Sequence, residues 1–318
     1  MMPTLVRNFL VLPLLSGVLL TAPSIGQTRS VYNFLRNDVG ARAAALGGSF
    51  FAVADDIDAV FYNPAAVGTL ERPGGSIGFF KQILDINSGH IAYGRRFEEL
   101  GWFGAGILYT NYGTFTETDP SGAELGSFGA GDLAVLVSYG NTIAENLTYG
   151  ANLKFIYSSI AGYRSTGLAG DLGIFYAIPD KRMALGASLR NAGAQISSYN
   201  GVREDLPLDF SVGGSIVPRG LPLLLNLAFH RLTDETTDFF DRFSSFTIGG
   251  EFTVSSAVLL RFGYDNARRR DLKVGSSSGL AGFSTGVGIV IDDYRLDAAL
   301  NSYGKVATLY QISLGARL

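Results

Sequence analysis

With 41 glycines, 22 phenylalanines and 15 tyrosines among 318 residues, and only 17% charged residues, the chain leans to strands and turns rather than long soluble helices. No cysteine and two histidines exclude a disulfide framework, a thiolate zinc site and a cysteine nucleophile, and leave little for a histidine metal cluster. No cofactor is expected, and a formal net charge of -3 gives no basic face of the kind that binds nucleic acid.

The first 26 residues carry Arg7, an apolar run from Phe9 to Leu20, and small residues at Ser24 and Gly26. This pattern predicts an export signal cleaved near Gly26-Gln27. The run is short of the roughly 20 residues that span a bilayer as a helix, and no later apolar run matches it. A membrane-embedded mature chain must then be a closed barrel.

Residues 27–73 precede the first predicted strand. They contain the alanine run Ala41 to Ala45, the glycine pair Gly47-Gly48, and the turn Asn63-Pro64-Ala65. Alanines favour a short helix and the glycines its end. So apolar a segment needs burial, and the lumen of a barrel is the simplest place, as a hatch. Asp55, Asp56 and Asp58 lack calcium-loop spacing and are expected in a solvated turn.

From Gly74 onward the chain breaks into segments of about ten residues in which apolar and small or polar residues alternate. Leu147, Tyr149, Ala151, Leu153, Phe155 and Tyr157 share one face, with Thr148, Gly150, Asn152 and Lys154 on the other. Val258, Leu260, Phe262 and Tyr264 repeat this against Arg261 and Asp265, and Tyr294, Leu296, Ala298 and Leu300 against Arg295 and Asp297. A lipid-facing charge near the midplane costs roughly 2–4 kcal/mol, so one face free of charge predicts a lipid side and the other a lumen side. Lumen charges such as Arg261, Arg295, Asp297 and Arg317 are expected to pair with one another.

The predicted strands are 74–84, 86–97, 101–112, 130–140, 146–158, 164–178, 182–192, 208–217, 221–231, 244–254, 257–266, 280–291, 294–301 and 305–318. The fold class is therefore an all-β transmembrane outer-membrane barrel of about 14 antiparallel strands with an N-terminal helical hatch. Long connections at 113–129, 193–207, 232–243 and 267–279 fall at odd-numbered positions, opposite the tight turns. That parity puts both ends of the barrel on one side. The final segment alternates to Leu318, which stands where terminal barrel strands usually carry an aromatic.

No enzyme chemistry is expected. Gly275-Ser276-Ser277-Ser278-Gly279 matches a nucleophile elbow in spelling, but it lies in a serine-rich loop without the strand-to-helix context that motif requires. His90 and His230 are expected to be structural, hydrogen-bonded histidines.

Three blocks carry a family resemblance: Val31 to Leu35, Ala41 to Gly48, and Phe61-Tyr62-Asn63-Pro64-Ala65. Together they resemble the opening of the PorV/PorQ family, itself similar to FadL fatty-acid channels. Asn111 to Phe115, Gly126 to Phe128 and Tyr149 to Ser158 extend the resemblance to the PorQ branch. It implies an outer-membrane subunit that docks the surface attachment complex of a type IX secretion system. The implied partners are a sortase-like subunit, a PorV-like barrel and a soluble surface protein, besides membrane lipid and lipopolysaccharide. The alternative is a FadL-like channel for hydrophobic small molecules. Loops of at most about 17 residues favour docking, and the expected contact residues are Tyr112, Phe115, Tyr199, Phe239, Phe240, Arg268, Arg269 and Arg270.

Overall fold

The computed structural model describes residues 30–236, 238–272 and 279–318. The export signal and the serine run at 276–278 lie outside these described residues.

Fourteen antiparallel strands close into one barrel. In chain order they are β1 (Gly74–Lys81), β2 (Asn87–Phe97), β3 (Gly101–Thr118), β4 (Glu124–Ala144), β5 (Leu147–Ile160), β6 (Tyr163–Ile178) and β7 (Met183–Ser197). Then follow β8 (Asp209–Ile216), β9 (Leu223–Phe229), β10 (Phe246–Thr253), β11 (Val258–Asp265), β12 (Phe283–Ile291), β13 (Tyr294–Ser302) and β14 (Thr308–Arg317). Each strand pairs with its sequence neighbours, and β1 closes on β14 from Gly74↔Arg317 to Lys81↔Tyr310. Closure gives every strand a partner on both sides, as crossing a bilayer with strands demands.

Period-two patterning sets which side faces out. Along β5, Leu153 is 59% exposed while its neighbours Asn152 and Lys154 are each 5% exposed. Ile77, Phe79, Leu172, Ile174, Leu260, Phe262, Ile312 and Leu314 are likewise on the outside. A soluble sandwich would bury this face, so the outward apolar band is the lipid side of a membrane barrel.

The lumen holds residues 31–70, which form the main buried apolar cluster. Helix α1 (Ala41–Ala45) and 3-10 turns at Asn33–Arg36, Ile57–Phe61 and Pro64–Thr69 make up this hatch. Phe50, Leu46, Val60 and Val67 are almost wholly buried there, together with Ile156 from the inner face of β5.

Some connections differ from expectation. Residues 113–129 are mostly paired: β3 runs to Thr118, β4 starts at Glu124, and Phe115 opposes Phe128 beyond a bulge at Gly113. Alternation continues through this stretch, so nothing stops the ladder. Strand β7 likewise takes the first part of 193–207 by running to Ser197. Phe239–Ser244 form a 3-10 turn, and Asn266–Asp271 form a second helix, α2, capped by the Asp265 carboxylate accepting from the Arg268 N–H at 3.0 Å. The end carrying these connections is called the loop end below, and the other the terminal end.

Candidate functional site in the plugged lumen

The hatch seats on glycines. A Cβ on Gly150 would strike the Pro64 carbonyl, one on Gly173 the Asn63 side chain, one on Gly186 the Phe51 carbonyl, and one on Gly263 the Gly47 nitrogen. Smaller encroachments occur elsewhere: a Cβ on Gly249 would lie 2.7 Å from the Leu46 oxygen, and one on Gly140 2.7 Å from Val67 Cγ1. The inner wall is rich in glycine because hatch backbone lies directly against it.

Asn63 holds the turn that follows. Its Oδ1 accepts from the Ala65 N–H at 3.1 Å, and its Nδ2 donates to the carbonyls of Phe51 and of Ile174 in β6, both at 2.9 Å. Pro64 starts the 3-10 turn, where its missing N–H leaves nothing unmet. One side chain thus caps a turn, ties two hatch segments together and anchors them to the wall.

A closed ring of six charges joins hatch to barrel. Arg42 of α1 donates to Asp56 at 2.9 Å and to Glu251 of β10 at 2.6 Å. Arg261 of β11 bridges Glu251 at 2.6 Å and Asp297 of β13 at 2.7 Å, while Arg295 bridges Asp297 at 2.7 Å and Asp56 at 2.6 Å. Burial alone would raise the pKa of Asp56, but Arg295 and Arg42 outweigh it and hold the carboxyl well below the ordinary range. Asp58 is buried as well, accepting from Ser76 and lying 3.1 Å from the His90 ring, and Asp55 pairs with Arg317 at 2.6 Å. The aspartates therefore do not form the solvated turn expected of them, because the hatch carries them to a wall lined with partners.

Toward the loop end the wall is interrupted. Strands β7 and β8 pair from Met183↔Ile216 only to Arg190↔Asp209, whereas β7 continues to Ser197 against β6 alone. Asn191 has φ 59° and is held by three bonds: its N–H donates to Asp171 at 2.8 Å, its Oδ1 accepts from Lys154 at 2.9 Å, and its Nδ2 donates to the Pro207 carbonyl at 3.1 Å. A side cavity of about 850 Å³ opens at this gap, lined by Asn191, Ala192, Gly193, Leu206, Pro207 and Arg36 among others. A second cavity, of about 430 Å³, lies inside the loop end above the hatch, and Arg36 lines this one too. Arg36 is fixed by Asp234, with contacts of 2.7 and 3.1 Å.

The rim residues expected to meet a partner divide into inward and outward sets. The Tyr112 hydroxyl donates to Asp132 at 2.7 Å, and that of Tyr199 donates to Ser158, which also bonds Asp132. Arg268 reaches into the lumen to Asp38 of the hatch at 2.7 Å and lies over the Tyr303 ring. These three spend their polar groups on partners inside the chain. A polar group near the rim finds partners first within the same barrel mouth. Phe115 stacks on Phe128, Arg269 donates to the Gly279 carbonyl at 3.3 Å, and Arg270 donates to Ser244. Phe239 and Phe240 stand 66% and 80% exposed. They begin a run of ring contacts that passes through Phe243, Phe229, Phe246 and Tyr264 to Phe283 on the lipid side. The phenylalanine pair thus continues an aromatic girdle, while Tyr112 and Tyr199 sit on another arc of the barrel.

Sequence reading missed Arg42, Asp56 and Glu251. The available signal was a lone Arg inside an alanine run and a lone Glu after two glycines on a lumen face, both of which need a counter-charge when buried.

Several solved structures share this architecture. The toluene transporter TbuX of Ralstonia pickettii matches with a TM-score of 0.62 at 15% identity, over 88% of this chain and 98% of that one. The toluene transporter TodX of Pseudomonas putida matches at 0.60 and 14%, over 91% and 98%. A FadL homologue of Pseudomonas aeruginosa matches at 0.56 and 10%, over 88% and 98%. The fold is that of a FadL-like outer-membrane barrel. No family model matches the sequence. A Treponema pallidum (strain Nichols) protein described as UPF0164 protein is 26% identical over 199 residues, 56% of this chain. The chain spans about half the length of that curated relative, 46% of it. None of these likenesses points to the PorV/PorQ family in particular.

Proposed function

We propose that the protein is an outer-membrane channel for small hydrophobic molecules, with the gap between β7 and β8 as the opening through which they leave the lumen. The carrying observation is that the wall opens beside a cavity of about 850 Å³ while the hatch fills the lumen below it. A solute barred from the straight path has an exit sideways, toward the bilayer, where an apolar molecule is favoured over water. Solved channels of this architecture include toluene transporters, which supports the same reading. Toluene uptake by cells lacking their own channel is the direct test. Expression should raise the uptake rate, and Ala192→Arg or Leu206→Arg, placing a charge in the gap, should abolish the gain while the barrel still folds. Unchanged uptake in both variants sinks the proposal.

A docking role in a type IX attachment complex keeps one observation in its favour, the exposure of Phe239 and Phe240. Purification of the detergent-solubilised protein would then recover a sortase-like or other surface subunit, and Phe239→Ser with Phe240→Ser would release it. Recovery of the barrel alone removes that role.

A further inference from the structure

The barrel closes strand on strand, yet one hairpin outruns its neighbours at the loop end. Strands β3 and β4 pair on from Thr114↔Gly129 to Thr118↔Glu124. On one side the pairing with β2 ends at Asn87↔Asn111, and on the other the pairing with β5 ends at Ala130↔Ile160. Among the described residues, no strand therefore meets the outer edge of β3 beyond Asn111 or that of β4 before Ala130. At about 3.3 Å per residue the free ladder is roughly 16 Å long. Register shifts fall between Asn111 and Thr114 and between Glu117 and Thr118, and Thr114 to Glu117 run regularly against Gly129 to Gly126 between them.

Neither face of this ladder is covered. Thr114 to Thr118 and Glu124 to Ser127 are exposed, and the stacking of Phe115 on Phe128, with centroids 5.4 Å apart, is a contact within the hairpin. An isolated two-stranded hairpin is marginally stable at best in water, and a third strand is what supports one. Open edges present unpaired N–H and C=O groups, which proteins commonly blunt with lysine or proline on the edge. Here the edges carry no lysine, and Pro120 sits in the turn at the tip.

Charge selects what can add there. From Thr110 to Ala130 the chain carries Glu117, Asp119 and Glu124 and neither lysine nor arginine. Glu117 and Glu124 lie on the ladder itself, one on each strand. A second copy would set acids against acids, and like charges opposite one another on strands are destabilising. We infer that this hairpin is a docking edge for an extended basic peptide segment of another protein, which adds to it as a third strand. Main-chain hydrogen bonds hold the segment, as when peptides extend an open sheet edge, and Glu117 and Glu124 meet its lysines or arginines. The surface is separate from the side opening between β7 and β8, so its occupancy does not depend on transport.

Fluorescence polarisation on the full protein in a non-ionic detergent tests this with a labelled peptide of alternating valine and lysine, as long as the free ladder. The controls are its valine–glutamate counterpart and the valine–lysine peptide N-methylated at every amide. Saturable binding of the valine–lysine peptide, about tenfold or more tighter than either control, is the expected result. Replacing residues 114–129 by an Asn-Gly turn should abolish it, with heat-modifiable gel migration reporting that the barrel has folded. Should that variant not fold, Glu117→Lys with Glu124→Lys decides alone, and it should reverse the preference to the valine–glutamate peptide. Absence of saturable binding, equal binding of the N-methylated peptide, persistence in the folded shortened variant, or an unreversed preference overturns the inference. Dimerisation of the native protein that shortening removes also overturns it, since the occupant is then a second copy.

Discussion

Asn63 shows how much one residue can hold. Its amide satisfies one backbone N–H and two carbonyls from three parts of the chain. Asn63→Ala leaves the Phe51 and Ile174 carbonyls without that donor, at a cost of about 1–3 kcal/mol. The expected outcome is a lower urea midpoint for hatch release, followed by protease cleavage between residues 31 and 70. The wall glycines make a second residue-scale prediction. A Val at Gly173 must displace the hatch, since even a Cβ there meets Asn63, whereas a Cβ at Gly126 meets nothing within 4 Å. Ion conductance in planar bilayers should rise for Gly173→Val and stay at the parent level for Gly126→Val. Equal currents would mean that the glycines are not the hatch seat.

At the scale of elements, the ring of six charges ties α1 and the Asp56 turn to β10, β11 and β13. Glu251→Gln leaves Arg42 and Arg261 sharing too few carboxylates, and breaking one partner of a buried pair costs about 3–5 kcal/mol. Hatch release measured by protease accessibility should become markedly easier, while the barrel keeps its gel mobility. Acid should act on the same ring through Asp56. Its folded pKa is depressed, so its contribution is fully present above the unfolded value of about 3.9 and is lost as pH falls below that through the folded value. Protease accessibility of the hatch should accordingly be flat from neutral pH to about 4 and rise below it. A rise near pH 6 instead would point to a histidine and exclude this account.

At the scale of the whole molecule, plug and wall have separable roles. If the hatch is a fixed seal and solutes leave sideways, pinning it should not matter. Phe51 Cβ lies 3.1 Å from where a Cβ on Gly213 would sit, a few tenths of an ångström short of the usual disulfide range. The chain has no cysteine of its own, so Phe51→Cys with Gly213→Cys would form a single defined bridge. Toluene uptake should be the same with the bridge oxidised or reduced, and a fall on oxidation would show that the hatch itself must move. Deleting residues 41–67 should open an ion-conducting pore in an assembled barrel.

Period-two alternation, free of charge on one face, is a property of the chain alone. It sufficed for the fourteen strands, the lipid side at Leu153 and the pairing of Arg261 with Asp297, because a strand's two faces are fixed by its covalent geometry. The apolar segment before Gly74 and its Asn-Pro-Ala turn could be recognised as a hatch for the same kind of reason: so apolar a stretch has nowhere else to go. Strand ends were less legible, since β3 and β4 pair on past the positions where a loop was expected. What only the tertiary structure decided are contacts between residues far apart in the chain. Arg42 meets Glu251, Asp38 meets Arg268, and Arg36 meets Asp234 across about 200 residues. Tyr112 and Tyr199 look like binding aromatics in sequence, yet Asp132 and Ser158 draw their hydroxyls inward. The opening beside β7 arises where β8 begins at Asp209 and no earlier, so that β7 runs beyond its partner. No local pattern encodes that mismatch, because a strand's length is written in its own residues but the length of its neighbour is not.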